Sequence, residues 1–350
     1  MKYYLFVFLS LFFLSCQDEI TLDLPKAENR LVVEGYIEPG FPPYVILTNN
    51  QGYFDPINTD TYNDLFVNLS DLDTIEVFYL DDNGNKEDSI FLKQIPEYLQ
   101  QLIPGFDSLP PIYTDLDYIN NSNYTFSKEE RTYYLKIKWN NQIITSETYI
   151  PKATLLDCLW VEQTERTSDK EYKSDIRAVY SDPPEKQNNI LIKSKRIQNY
   201  ERNRKDTILC ETINYPDFPL KLVDAGSDIL INGESFETYF PQPNDNGFPT
   251  GAYNTAYEKE CDNGDILQFQ EDVVLVKFCQ IDEPSMKFWR GLVRQAGTNG
   301  NPFAEPLNLV SNVNGGLGVW TGYAPVYYKV PIINGTTITD TIRPNIIDIF

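Results

Sequence analysis

Five cysteines, 51 acidic side chains, 29 basic ones and no histidine bound the chemistry open to this 350-residue chain. Without histidine there is no Ser-His-Asp or Cys-His nucleophile, no imidazole metal ligand and no general base titrating near neutral pH. Paired carboxylates could act as acid and base in a glycosidase, but no spacing in the sequence picks out a pair. Three clusters, Asp81–Asn85, Asn244–Gly247 and Asp262–Asp265, raise the question of calcium. An EF-hand loop ends in Glu at its twelfth position, and that count leads from Asp81 to Leu92 and from Asp262 to Val273. The clusters are therefore read as hairpin turns. Gly315, Gly316 and Gly318 lack the Gly-Lys-Ser/Thr of a phosphate loop and run into Val319-Trp320, a strand start where glycines permit a bulge or close backbone approach. No catalytic residue, cofactor or metal site is expected, and the chain is read as non-enzymatic.

Cys16 is the residue whose placement does predict chemistry. Lys2 is followed by an apolar run, Tyr3 to Leu14, broken only by Ser10. A membrane-spanning helix needs about 20 apolar residues, so the run fits the h-region of a signal peptide instead. Phe13-Leu14-Ser15-Cys16 looks like a bacterial lipobox, in which the thiol is acylated and residues 1–15 are removed. An ordinary secretory signal beside a chance cysteine is the alternative. Gln17, Asp18 and Glu19 resemble the short acidic export signal that follows the lipid cysteine in surface lipoproteins of Bacteroidota; a plain acidic linker is the alternative. No other stretch is long and apolar enough to span a membrane as a helix, so the expected anchor is lipid.

Cys158, Cys210, Cys261 and Cys279 are an even set in a chain expected to be exported, where disulfides persist. Three pairings are possible; Cys210–Cys261 with Cys158–Cys279 is the favoured one. No CxxC spacing supports a zinc ribbon or redox pair.

The elements that must position these residues read as strands nearly throughout. Leu31–Ile37, Tyr44–Thr48, Leu65–Leu69 and Thr74–Leu80 follow one another at short intervals. Tyr133, Leu135, Ile137 and Trp139 alternate with Lys136 and Lys138. Asn83-Gly84 and Asn140-Asn141 supply turns, and Pro151 ends Gln142–Ile150. Past Leu155 the pattern resumes with Ile176–Tyr180, Asn189–Ile197 and Ile266–Ile281. Asp282-Glu283-Pro284-Ser285 starts a helix over about 284–296, with Met286, Trp289, Leu292, Val293 and Ala296 on one face and Gly297 closing it. Residues 94–125 form a long insertion with Pro96, Pro104, Pro110, Pro111, Tyr98, Tyr113, Tyr118 and Tyr124. Such a loop either recognises a partner or folds over its own core. The expected architecture is mainly β: signal peptide 1–15, acidic tether 16–30, an N-terminal β-sandwich over 31–152 and a β-rich domain over 153–350.

A net charge of −22 argues against nucleic acid as a partner. The cations of the predicted helix, Lys287, Arg290 and Arg294, are read as a solvated face, with docking of an acidic partner as the alternative. Five Asp-Ser/Thr-aliphatic tripeptides, beginning at Asp73, Asp88, Asp107, Asp206 and Asp340, resemble an O-glycosylation acceptor; turns entering strands explain them equally.

Asn301-Pro302-Phe303, Glu305-Pro306 and Ser311-Asn312-Val313-Asn314-Gly315-Gly316-Leu317-Gly318-Val319-Trp320, with Phe288-Trp289, Leu22–Ala27, Leu31–Gly35 and Thr148–Pro151, resemble domain-of-unknown-function family 4249. The resemblance runs from about Asp18 to the C-terminus. It implies a Bacteroidota outer-membrane lipoprotein encoded beside a TonB-dependent receptor, and it transfers no catalytic residue. The implied role is a non-enzymatic accessory subunit of a large outer-membrane β-barrel, a TonB-dependent receptor, capturing or gating a ligand there. A subunit of an assembly or lipoprotein-export complex is the first alternative, and a surface glycan or peptide hydrolase the second.

Overall fold

A computed structural model describes residues 28–51, 65–67, 72–96, 111–117, 124–168, 171–202, 220–229, 231–242, 252–256, 258–260, 266–296 and 308–332. Cys16, Gln17, Asp18, Glu19, Cys210, Cys261, Asn301, Pro302, Phe303 and Pro306 lie outside these, as do Gly297 and most of the Tyr/Pro-rich insertion. In chain order the strands are β1 (Leu31–Ile37), β2 (Tyr44–Asn49), β3 (Leu72–Leu80), β4 (Lys86–Phe91), β5 (Lys93–Gln94), β6 (Ile112–Thr114), β7 (Arg131–Trp139), β8 (Gln142–Ile150), β9 (Cys158–Ser168) and β10 (Glu171–Ser181). They continue with β11 (Asn189–Arg202), β12 (Lys221–Ser227), β13 (Ser235–Phe240), β14 (Tyr253–Ala256), β15 (Glu258–Glu260), β16 (Ile266–Gln280), β17 (Val313–Asn314), β18 (Leu317–Gly322) and β19 (Ala324–Pro331). One helix, α1 (Glu283–Ala296), separates β16 from β17.

Two sandwiches result, as alternation predicts. In the first, the sheet β18-β1-β2-β6-β5 faces the sheet β17-β8-β7-β3-β4. Leu31, Val33, Val45 and Leu47 of one sheet meet Ile75, Val77, Tyr133, Leu135, Ile137 and Trp139 of the other in a single buried core. Asn140 and Asn141 adopt positive φ (47° and 60°), which closes the β7–β8 hairpin. Asp81 likewise spends its carboxylate on its own turn, accepting the Asn83 and Asn85 amides. In the second sandwich β9, β13 and β14 flank β10 and face the sheet built on β12-β11-β16, which β19 and β15 extend. Their core includes Leu159, Val161, Tyr172, Ile176, Tyr180, Val274, Val276 and Phe278.

A third apolar cluster lies between the sandwiches. Tyr36, Val319 and Tyr323 from the first meet Leu191, Ala225 and Cys279 from the second, with Met286 and Trp289 of α1 wedged among them. Asp282 caps that helix, its Oδ1 accepting the Ser285 amide at 3.0 Å.

Three expectations change. The chain returns from the C-terminal half to finish the first sandwich: β18 runs parallel to β1, with Val33 opposite Gly318, and β17 pairs with β8. A boundary at 152/153 therefore does not separate two self-contained units. Around Leu65–Leu69 the described residues show one bridge, Phe66 to Thr48, rather than a strand. The Cys158–Cys279 disulfide is not formed, and both thiols are free. The reason is side-chain alternation. Val274, Val276 and Phe278 point to the β9–β10 sheet, so Cys279 points to the opposite face and joins the inter-sandwich cluster.

At the insertion, β5 and β6 add to the edge of the β1–β2 sheet. Tyr113 is buried and the Tyr124 hydroxyl donates to Asp115 at 3.0 Å, so these two tyrosines fold inward.

Candidate functional site

The described part of the glycine-rich motif lays β18 into the first sandwich, with Val319 reaching the junction between the two. Ser311 accepts the Val313 amide at 3.1 Å. Asn312 holds Trp320 by both backbone groups, and the Trp320 indole donates to the Tyr133 carbonyl at 3.2 Å. Gly315 and Gly318 take positive φ (81° and 103°). A Cβ on Gly316 would sit 2.8 Å from the Leu31 carbonyl, and one on Gly318 only 2.0 Å from that of Val33. The glycines let a parallel strand lie against β1, as a close backbone approach requires.

Beneath this junction lies an arrangement of charges that the sequence reading missed. Lys193 on β11 stands opposite Lys277 on β16, which stands opposite Tyr327 on β19. Lys277 pairs with Glu38, whose other oxygen accepts the Tyr327 hydroxyl at 2.7 Å. Among the described residues Lys193 has no ion-paired carboxylate of its own. Its Nζ lies 4.2 Å from the Trp289 ring, 5.0 Å from Tyr36 and 5.3 Å from Tyr323, and donates to the Tyr323 hydroxyl at 3.3 Å. The faces of these rings stabilise the ammonium. Burial, and then the charge of Lys277, still lower the Lys193 pKa to about 8. Burial also pushes the Tyr36, Tyr323 and Tyr327 hydroxyls well above the usual phenol range and the Cys279 thiol up to about 12. One signal was available: Lys277 interrupts the apolar run Val273-Val274-Leu275-Val276, and a lone charge there implies a buried partner.

The second feature is open to solvent. Where α1 passes the terminal strand β12, Asp224, Ala225, Gly226 and Ser227 face Arg290, Val293 and Arg294 across a shallow groove of about 340 Å³. Lys287, one turn earlier on α1, pairs with Glu283 at 2.7 Å. Among the described residues Arg290 and Arg294 have no ion-pair partner. Burial raises the Asp224 pKa, opposed by the Ala225 amide and by the charge of Arg290. Hence part of the basic stripe borders a groove rather than bare solvent. Among the described residues no three His, Cys, Asp or Glu side chains gather as metal ligands.

No helix among the described residues is long and apolar enough to cross a membrane. Among curated proteins none matches the sequence. The solved structures that resemble it include trypsin-activated alpha-2-macroglobulin from Escherichia coli, at 10% identity and a TM-score of 0.21, covering 89% of this chain and 23% of that one, and Salmonella alpha-2-macroglobulin reacted with methylamine, at 8% and 0.21, covering 76% and 14%. The chain thus spans less than a quarter of either, and likeness at that score carries no argument. The sequence profile that does match covers residues 17–328 and includes the glycine-rich junction, so the chain belongs to the family described as Domain of unknown function (DUF4249).

Proposed function

We propose that the protein is a surface-exposed outer-membrane lipoprotein, anchored through Cys16, and a non-enzymatic accessory subunit of a large outer-membrane β-barrel, a TonB-dependent receptor. The observation that carries the docking role is the groove between β12 and α1, where Arg290 and Arg294, without an ion pair among the described residues, face a strand that ends its sheet among those residues. Strand edges and arginine-lined grooves suit protein docking. The address is supported by Phe13-Leu14-Ser15-Cys16 and the acidic residues after it. The 15 residues from Cys16 to the start of β1 at Leu31 reach at most about 50 Å when extended, enough to hold the sandwiches beside a barrel in the same membrane.

The test is purification of tagged protein from native outer membranes in mild detergent, with mass spectrometry of what accompanies it. One TonB-dependent barrel is the expected companion. An assembly or export barrel would move the role to biogenesis, and recovery of the protein alone would overturn the accessory role. Intact mass of the mature chain tests the anchor: cleavage before Cys16 with added acyl mass is expected.

A further inference from the structure

We propose that the β12–α1 groove binds an extended acidic segment of the partner, read as Asp/Glu-x-Asp/Glu and laid beside β12. The identity of the partner rests on the function proposed above; the chemistry of the groove does not.

Four observations converge. Among the described residues β12 ends its sheet, pairing with β11 on one side, and a terminal strand presents backbone donors and acceptors to an added strand. Gly226 leaves the groove open, since even a Cβ there would meet nothing within 4 Å. Arg290 and Arg294 are both exposed and without ion-pair partners among the described residues, and guanidinium forks bind carboxylates by paired hydrogen bonds. Lastly, the chain carries a net charge of −22, so an acidic segment is repelled elsewhere and steered to this cationic strip.

The spacing sharpens the motif. Residues four apart on a helix are displaced by about 6 Å along its axis. Alternate residues of a strand lie about 6.7 Å apart on one face. Carboxylates at i and i+2 of an added strand therefore match Arg290 and Arg294, whereas adjacent acids point to opposite faces. Asp224 accepts the amide of Ala225 at 2.7 Å and partly fills the β12 side of the groove. This disfavours a third acid directly opposite it.

The experiment places the photo-crosslinking residue p-benzoylphenylalanine at Val293, inside the groove, in full-length lipidated protein in cells. After irradiation, the adduct is mapped by mass spectrometry. The expected adduct is a peptide containing two acids one residue apart. R290E/R294E should lower its yield at least tenfold, and K287E, outside the groove, should leave it unchanged. Raising the salt from 0.05 to 0.5 M should also weaken capture. The inference is overturned by no adduct, by an adduct with lipid or a segment lacking paired acids, or by a yield that R290E/R294E does not lower. Because both arginines are exposed, the double variant should melt as the parent does. Should it misfold, the adduct map and its salt dependence still decide. Co-purification of the barrel separates the two claims: a barrel held equally by parent and R290E/R294E sinks the groove alone. An acidic adduct from a protein that is not a barrel sinks the accessory reading alone.

Discussion

Asn312 grips Trp320 with both ends of its carboxamide: Nδ2 donates to the Trp320 carbonyl at 2.7 Å, and Oδ1 accepts the Trp320 amide at 2.9 Å. The Trp320 side chain is wholly buried in the first sandwich. It leaves so little room that a Cβ on Gly35 would lie 2.6 Å from its ring. Truncating Asn312 orphans two backbone groups at once. N312A should cost on the order of 2–6 kcal/mol, since each buried group left unpaired costs about 1–3 kcal/mol. N312D keeps the acceptor but turns an oxygen against the Trp320 carbonyl, so it should rescue little. Thermal melting of the three proteins by near-ultraviolet circular dichroism checks the order.

Gly318 and Gly40 both hold positive φ, 103° and 80°, but only Gly318 is hemmed in. A methyl group there would collide with the Val33 carbonyl and force β18 off β1, whereas one on Gly40 would meet nothing within 4 Å. G40A should therefore cost only about 1 kcal/mol of backbone strain, while G318A should exceed about 3 kcal/mol or prevent recovery of folded protein. Equal melting temperatures for the two variants would contradict the close approach.

Periodicity and turn chemistry were legible because they are local. The alternation in β7, the Asn140-Asn141 turn and the apolar face of α1 each need only a window of a few residues. The parallel pairing of β1 with β18 was not legible, because it joins segments nearly 290 residues apart, and the glycines of β18 announce a close backbone approach without naming the partner strand. The same distance hid Lys193, whose aromatic neighbours Tyr36, Trp289 and Tyr323 come from three separate elements. The thiol pairing failed differently. Cys158 and Cys279 both sit in apolar runs, but an apolar run buried on both faces does not say which face a given residue takes.

Free thiols at Cys158 and Cys279 imply unequal reactivity. Cys158 is partly exposed, whereas Cys279 is fully buried with its thiol pushed up to about 12. Thiolate is the reactive form, so iodoacetamide at pH 8 should label Cys158 in the folded protein and Cys279 only after denaturation. Peptide mapping reads both sites, and a 158–279 cross-linked peptide would refute the arrangement.

Asp282 serves two structures with one carboxylate. Oδ1 caps α1, while Oδ2 accepts the Thr148 hydroxyl at 2.8 Å and the Tyr149 amide at 2.9 Å from β8. Losing the cap costs about 1 kcal/mol and each remaining hydrogen bond about another. D282A should thus lose roughly 2–3 kcal/mol and loosen α1 together with the β8 end. D282N, with one acceptor oxygen, should fall between parent and alanine. Hydrogen exchange of the α1 amides distinguishes a local effect confined to the helix from the joint loss expected here.

Lys193 gives the junction a pH dependence of definite sign. Its pKa falls from the ordinary lysine range to about 8 on folding, so between pH 8 and about 10.4 the unfolded chain binds more protons than the folded one. Stability contributed through this residue therefore rises with pH across that window. Tyr36, Tyr323 and Tyr327 act oppositely, because their raised values make the folded state lose stability above about pH 10. Both effects are present in the parent, so the informative quantity is the difference from K193M, which keeps the tyrosines and removes the ammonium. At pH 7 K193M should match or exceed the parent, because methionine fills the aromatic cage without a desolvation cost. As the pH rises to 9.5 the parent should gain on the variant. Parallel melting curves from pH 7 to 9.5 would show instead that Lys193 titrates as an ordinary surface lysine and that the rings do not enclose it.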